Sequence, residues 1–257
     1  MTTAHTQDTN AGGRRGEPPE DTSAEWSFWR EHATISLQPI AAPSILGLFG
    51  FAVSTFMVAA NMAGWFGNTT LTPLVLFPLA FAFGGIAQLL AAMWSYRARD
   101  ALATGIHGAW GSFWIGYGLY MLLVALHLVP GAADNPEARV AFGYWFVGLA
   151  AVTWTGFAGA CAENAALSLV LLTLAGGSTL LAIGMVAAFP RLITIGAIVL
   201  VASAVLAWYT GSAMLLAASF GRVVLPIGTR DGPQAPGAIE RRPVQFRAGE
   251  PGIKRGQ

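Results

Sequence analysis

The chain has 257 residues, of which 54% are hydrophobic and only 11% are charged, and its formal net charge is +1. Only eight charged side chains lie in the 177 residues from 43 to 219, whereas a soluble domain is roughly 25% charged. Such a segment cannot cover a surface that faces water, so the composition excludes an ordinary soluble enzyme, and the near-neutral charge gives no reason to expect a nucleic-acid partner.

The N-terminal tail, residues 1–40, is rich in Thr, Gly, Pro, Glu and Arg and has no apolar stretch of signal-peptide length. We predict that this tail is disordered and cytoplasmic, although Trp26, Phe28 and Trp29 would allow a short amphipathic segment on a membrane surface. The C-terminal tail, residues 229–257, is basic and rich in Gly and Pro. It is predicted to be disordered and cytoplasmic as well.

Six apolar runs follow one another between the tails, and each is long enough to cross a bilayer as a helix, which takes about 20 residues. They span residues 43–66, 71–96, 101–129, 139–162, 165–188 and 192–219. Ten-residue segments of alternating hydrophobicity, as in a barrel, are absent from them, and a helix satisfies its own backbone hydrogen bonds in lipid. The sequence therefore predicts an all-α, polytopic membrane domain with six transmembrane helices over residues 41–228.

The basic residues predict how these helices are oriented. An even number of spans places both tails on one side of the membrane, and that side carries twelve of the fourteen basic residues. Only Arg139 and Arg191 fall on the other side. The positive-inside rule therefore places both termini in the cytoplasm of a multi-pass protein of the cell membrane.

Few polar side chains lie at membrane depth, where each is costly unless it is paired or hydrated. Gln88 and Gly84 are four residues apart and share a helix face, so the Gln88 amide either joins two helices or meets a small solute. His107 lies about two turns into the third run. Its imidazole either passes a proton or is hydrogen-bonded within the bundle, and the sequence leaves both alternatives open.

Four aromatic residues form a stripe on the third predicted helix: Trp110, Phe113, Trp114 and Tyr117 have the spacing i, i+3, i+4 and i+7. Such a stripe either packs the bundle or narrows a pathway, as hydrophobic constrictions do in channels. The sequence shows no metal-ligand spacing, no phosphate-binding loop and no nucleophile with a nearby His and carboxylate. We therefore expect neither an enzyme nor a metal or other cofactor.

Several short motifs occur in a fixed order along the chain. Phe220-Gly221-Arg222 and then Leu225-Pro226-Ile227-Gly228 follow the last run, and Gly84-Gly85-Ile86-Ala87-Gln88 lies in the second. The first run contains Pro43 and Leu46-Gly47-Leu48, and the third contains Gly111-Ser112-Phe113-Trp114. Together these motifs resemble the acetate uptake transporter family, the succinate-acetate permeases. The asparagine and second proline with which that family opens its first span are absent here, and His107 replaces an aromatic residue.

The resemblance implies a homohexamer in which every protomer encloses an hourglass pore that small monocarboxylates cross together with protons. It implies a pore constriction formed by Phe51, Trp110 and Leu174, with Ala207 in the selectivity region of the last helix. Four polar side chains are then expected to meet the carboxyl group along the substrate pathway, on the basis of their polarity and depth. They are Ser54, Thr55, Asn61 and Gln88.

We therefore predict a membrane transporter for acetate and related short-chain monocarboxylates, with succinate as a further candidate, which moves them together with protons. Two alternatives stay open. One is a passive channel for a small neutral solute such as ammonia or urea, which would need no proton. The other is a membrane protein that does not transport and instead organises partners through its basic C-terminal tail.

Overall fold

The computed structural model describes residues 40–68 and 70–229, so the tails predicted to be disordered lie outside the described residues apart from Ile40 and Thr229. In the described part, the chain is all-α, and its extended pairing is limited to an isolated bridge between Asn164 and Thr229. Six helices there are long and apolar enough to cross a membrane: α1 Ser44–Met62, α2 Thr72–Ala98, α3 Ala101–Ala125, α4 Pro136–Ala160, α5 Ala165–Val186 and α6 Pro190–Phe220. The prediction of six transmembrane helices is confirmed.

Polar side chains fix the starts of three helices. Asp100, Asn135 and Asn164 precede α3, α4 and α5, and each accepts a hydrogen bond of 2.8–2.9 Å from the backbone N–H three residues later. These caps satisfy N–H groups that have no partner within the helix. Each of these three helices therefore begins directly after a polar residue of the connection that precedes it.

The structure corrects several predicted helix ends by a few residues. Helix α4 begins at Pro136 and α6 at Pro190, before the predicted starts at 139 and 192, because proline suits the first turn, where its missing N–H has no cost. Helices α1 and α3 end earlier than predicted. Gly64 and His127, which follow them, have φ values of 79° and 57°, and a left-handed residue stops a helix.

Helix α2 contains two prolines and remains helical through both. Pro73 lies in its first turn and Pro78 in its interior. Three residues beyond Pro78 the backbone hydrogen bonds change to the π-helical pattern over Phe81–Ala87. A short π segment is often associated with a functional site, and this one contains Gly84 and Gly85.

The helices are arranged as a ring around a common interior. Consecutive helices along the chain pack side by side, and α6 returns to pack on α1. Side chains that point inward are fully buried, such as Trp110 and Leu174, whereas large apolar side chains that point outward are exposed, such as Val75 and Trp208. An apolar exterior around a packed interior is the arrangement that lipid requires.

Candidate functional site

Two cavities lie at opposite ends of the helix ring, and among the described residues Trp110 alone lines both. The larger one, which we call the wide cavity, has a volume of about 830 Å³, and its lining includes residues of the α1–α2 and α3–α4 connections and of the start of α6. The other, the narrow cavity, has a volume of about 90 Å³ and lies toward the end at which α1 begins and α6 ends. The interior therefore has an hourglass outline with Trp110 at its waist.

Phe51, Trp110 and Leu174 come together at this waist from α1, α3 and α5. All three line the narrow cavity, and their exposed fractions are 3%, 2% and 1%. The rings of Phe51 and Trp110 meet edge to face, with centroids 6.1 Å apart. The three side chains thus form an apolar barrier between the cavities. The family resemblance implied a pore constriction at these positions, and that role in transport stays a prediction.

A hydrogen bond from a neighbouring helix fixes the indole of Trp110. Its Nε1 donates to Thr153 Oγ1 of α4 at 3.1 Å, and this hydroxyl in turn donates to Leu149 O at 2.6 Å. Thr153 is completely buried. Because the indole N–H has this partner, the polar atom of Trp110 is satisfied within the protein and the ring is held in one orientation.

Two of the polar side chains that line the narrow cavity are buried and have a polar atom without a hydrogen-bond partner in the described part of the chain. Gln88 and His107 both line it and both are buried. Gln88 Oε1 and His107 Nδ1 have no hydrogen-bond partner among the described residues. Buried polar atoms without a partner cost about 1–3 kcal/mol each, so both atoms are suited to pair with a small polar molecule in this cavity.

Two carboxyl groups lie at the mouth of the narrow cavity. Asp100 and Glu163 line it from the α2–α3 and α4–α5 connections, and no Lys or Arg of the described chain is among its lining residues. Loss of solvent and, to a smaller extent, the charge of Asp100 raise the pKa of the Glu163 carboxyl above its ordinary value. The lining of the narrow cavity is therefore acidic.

The wide cavity is walled by aromatic rings of α3 and α4. All four residues of the predicted stripe, Trp110, Phe113, Trp114 and Tyr117, line it and are buried. Phe113 contacts the rings of Trp110 and Trp114 at centroid distances of 5.3 and 5.1 Å. The stripe therefore packs the bundle and lines the wide cavity at once. That it narrows a pathway stays a prediction.

The other predicted pathway residues have different positions. Thr55 and Asn61 line the wide cavity, but the Asn61 Nδ2 donates to Phe66 O at 2.8 Å and so holds the α1–α2 connection. Ser54 and Ala207 are completely buried and are not among the lining residues of either cavity. Gln88 and Thr55 thus lie on a cavity wall, whereas Ser54 and Ala207 are buried between helices without lining either cavity.

Comparison with known proteins identifies the family to which this hourglass bundle belongs. The sequence profile of the GPR1/FUN34/yaaH family matches residues 27–228, which is more than three quarters of the chain. The chain belongs to the GPR1/FUN34/yaaH family. The expected relationship to the acetate uptake transporters is thereby confirmed.

Individual members of the GPR1/FUN34/yaaH family match over most of the membrane domain. The succinate-acetate/proton symporter SatP of Escherichia coli is 31% identical over 194 residues, 74% of this chain and 96% of that protein. Acetate permease A of Emericella nidulans is 29% identical over 110 residues, 43% of this chain and 34% of that protein. The solved structure of the bacterial acetate channel SatP superposes with a TM-score of 0.66 at 26% identity, over 74% of this chain and all of that one.

The family motifs lie at helix ends and close helix contacts. Pro43 is the residue that precedes α1, and Gly221 ends α6 with a φ of 64°. Pro226 O accepts a hydrogen bond of 2.7 Å from the Tyr209 hydroxyl, which folds the segment after α6 back on that helix. The remaining motif positions are Leu46, Gly47, Leu48, Gly84, Gly85, Phe220 and Arg222, of which Leu46, Phe220 and Arg222 are exposed.

Four residues that line these cavities or bind Trp110 were not singled out from the sequence as functional. They are Asp100, Arg139, Thr153 and Glu163. Asp100 and Glu163 lie in connections, Arg139 lies in the first turn of α4, and Thr153 is one of several hydroxyl residues in the apolar runs. None of these positions gave a periodic signal, and only the folded ring brings the residues to the cavities or to Trp110. In the described part of the chain, no group of three or more His, Cys, Asp or Glu side chains is placed to hold a metal ion.

Proposed function

We propose that this chain transports acetate and related short-chain monocarboxylates, with succinate as a further candidate, across the cell membrane, and that each acid crosses the waist in its protonated form. The observation that carries the proposal is the buried barrier of Phe51, Trp110 and Leu174 between two cavities. The family relatives named as a succinate-acetate/proton symporter and an acetate permease support the choice of substrate class.

The electrostatics of the barrier explain why a proton accompanies the anion. A bare carboxylate that leaves water for an apolar setting loses many kcal/mol of solvation free energy, whereas a neutral polar group loses only about 2–7 kcal/mol. The barrier offers no cationic side chain to offset the first cost. The protonated acid is therefore the form for which the waist is passable, and anion and proton cross together.

The polar groups on either side of the waist have distinct roles in this proposal. On the narrow side, the Gln88 amide and the His107 imidazole pair with the carboxyl group, and His107 accepts its proton. On the wide side, Thr55 lies among the lining residues one turn beyond Phe51 on α1. Asn61 is a structural residue in this scheme, because its amide is engaged by the α1–α2 connection.

The proposed orientation has the wide cavity facing outward and both termini in the cytoplasm. Arg97, Arg99 and Arg222 lie at the narrow-cavity end of the helices, and only Arg139 and Arg191 lie at the other end of the described chain. This asymmetry follows the positive-inside rule. The homohexamer that the family resemblance implies is part of the proposal, and the exposed apolar side chains of the bundle are compatible with neighbouring subunits as well as lipid.

The test is uptake of labelled acetate into proteoliposomes that contain the full chain. We expect an inward proton gradient to accelerate uptake, and Trp110→Ala to widen the waist and admit longer acids. Equal uptake by vesicles with and without the protein would contradict acetate transport itself. Swelling of the vesicles in ammonia or urea at constant pH, without any response of acetate uptake to the gradient, would instead favour a channel for neutral solutes.

A further inference from the structure

Arg139 is the single Lys or Arg among the lining residues of the two cavities in the described part of the chain. It lies in the first turn of α4, which the Asn135 cap and Pro136 set in place. Its position is at the rim of the wide cavity, at the opposite end of the bundle from the acidic pair Asp100 and Glu163. The wide cavity is also lined by Asp134 and His127. The lining of the wide cavity thus contains a cation, whereas the lining of the narrow cavity contains no Lys or Arg of the described chain.

The Arg139 guanidinium donates one hydrogen bond within the described chain and has further N–H donors. Its Nε donates to Met185 O in the last turn of α5 at 3.2 Å, where the carbonyl end of a helix favours a cation. Within residues 40–68 and 70–229 it forms no ion pair with a carboxylate. A guanidinium has five N–H donors in a planar fork, so the donors not used by Met185 O are free to bind a carboxylate in two-point fashion.

A continuous row of aromatic rings connects this rim to the waist. Phe142 and Phe146 follow Arg139 by one and two turns on α4, and their ring centroids are 5.5 Å apart. Phe146 contacts Phe113 at 5.6 Å, and Phe113 contacts Trp110 at 5.3 Å. An anion that binds at Arg139 therefore lies next to this row of aromatic rings. Reduced solvation there strengthens the attraction between the anion and the guanidinium.

We propose that Arg139 is a capture site for carboxylate anions in the wide cavity, which binds the ionised acid before it is protonated and enters the waist. The proposal rests on the proposed transport of short-chain acids and adds to it the site at which the anion is first bound. Capture of the anion raises its local concentration at the entrance, while the acidic narrow cavity repels it. The two protonation states of one substrate are thus bound at different ends of the pathway.

The test compares Arg139→Gln with Arg191→Gln, which neutralises the exposed arginine at the start of α6 outside the wide-cavity lining. Initial rates of acetate uptake by the full chain in proteoliposomes are measured over a range of acetate concentrations at neutral pH. We expect Arg139→Gln to raise the KM for acetate about tenfold with kcat nearly unchanged, since a hydrogen bond to a charged group is lost. Arg191→Gln keeps the wild-type KM, and Arg139→Lys, which retains the charge without the fork, gives an intermediate KM.

Two further readouts separate capture from a structural role. The KM difference between wild type and Arg139→Gln should shrink as the external pH falls toward the pKa of the acid, because the neutral form has no charge to bind. It should also shrink at high ionic strength. An unchanged KM in Arg139→Gln, or a fall in kcat alone, would overturn the capture site while acetate transport by the wild type stands; failure of the wild type to move acetate would overturn the proposed function instead.

Discussion

Trp110 Nε1 and Thr153 Oγ1 are 3.1 Å apart, and this hydrogen bond joins the waist residue of α3 to α4 inside the bundle. The bond leaves the indole with no unsatisfied polar atom at the barrier. It also makes the width of the waist depend on a residue that lines neither cavity. The selectivity of the proposed pathway therefore depends on a contact between two helices as well as on the three side chains that form the barrier.

Thr153→Val tests this dependence, because valine has nearly the shape of threonine and removes only the hydroxyl. The Trp110 N–H then has no partner, and we expect the free energy of unfolding to fall by about 1–3 kcal/mol. We also expect uptake to discriminate less sharply between acids of different length. Thermal unfolding in detergent and uptake of an acid series measure the two effects. Thr155→Val, at an exposed position of the same helix, is the matched control, and equal effects of the two variants would refute the anchoring role.

Gly47→Ala tests the close approach of α1 to His107. A Cβ at Gly47 would lie 2.5 Å from the His107 ring, so the ring or the helix must move, and we expect a loss of about 1–3 kcal/mol from overpacking. At Gly105 a Cβ meets no atom within 4 Å, and Gly105→Ala should leave the protein as stable as the wild type or slightly more stable. Adding His107→Ala to Gly47→Ala should restore part of the stability. If the double variant were no more stable than Gly47→Ala alone, the steric explanation would be wrong.

His107→Phe tests proton transfer in the narrow cavity. Phenylalanine keeps a ring in contact with Gly47 and removes both nitrogen atoms. We expect acetate uptake to continue and its pH profile to shift, because the carboxyl proton loses its acceptor below the waist. Uptake rates over a pH series in proteoliposomes provide the measurement. A pH profile that superposes on that of the wild type would assign His107 a packing role.

Glu163→Gln tests the acidic mouth of the narrow cavity. Since its surroundings raise the pKa of the Glu163 carboxyl, the folded protein holds this proton more tightly than the unfolded chain does. The free energy of unfolding therefore falls as pH rises from the ordinary glutamate pKa to the raised one, and this contribution is constant above that window. Glu163→Gln should remove this part of the pH dependence, as measured by thermal unfolding across the window. Glu137→Gln, at the other end of the bundle, should retain it, and an unaltered slope in Glu163→Gln would contradict the assignment.

The sequence by itself determined the membrane class, the number of spans and the family, because these depend on local properties. A run of about 20 apolar residues can satisfy its backbone only as a helix in lipid, and this holds whatever the other helices do. The spacing of Trp110, Phe113, Trp114 and Tyr117 likewise placed the aromatic stripe on one face. Helix ends were less certain, because caps such as Asn135 and left-handed residues such as His127 decide them over one or two residues.

Only the tertiary structure decided which of the polar and charged residues share a cavity. Asp100 and Glu163 are 63 positions apart and meet because two connections end at the same face of the ring, and Thr153 reaches Trp110 across 43 positions. The hydropathy of the sequence does not predict such pairings. A hydroxyl that binds an aromatic ring and a hydroxyl that faces lipid have the same hydropathy. Ser54 and Thr55 illustrate the point: they are adjacent and chemically alike, yet the rotation of α1 about its axis places Thr55 on the wall of the wide cavity and Ser54 behind it.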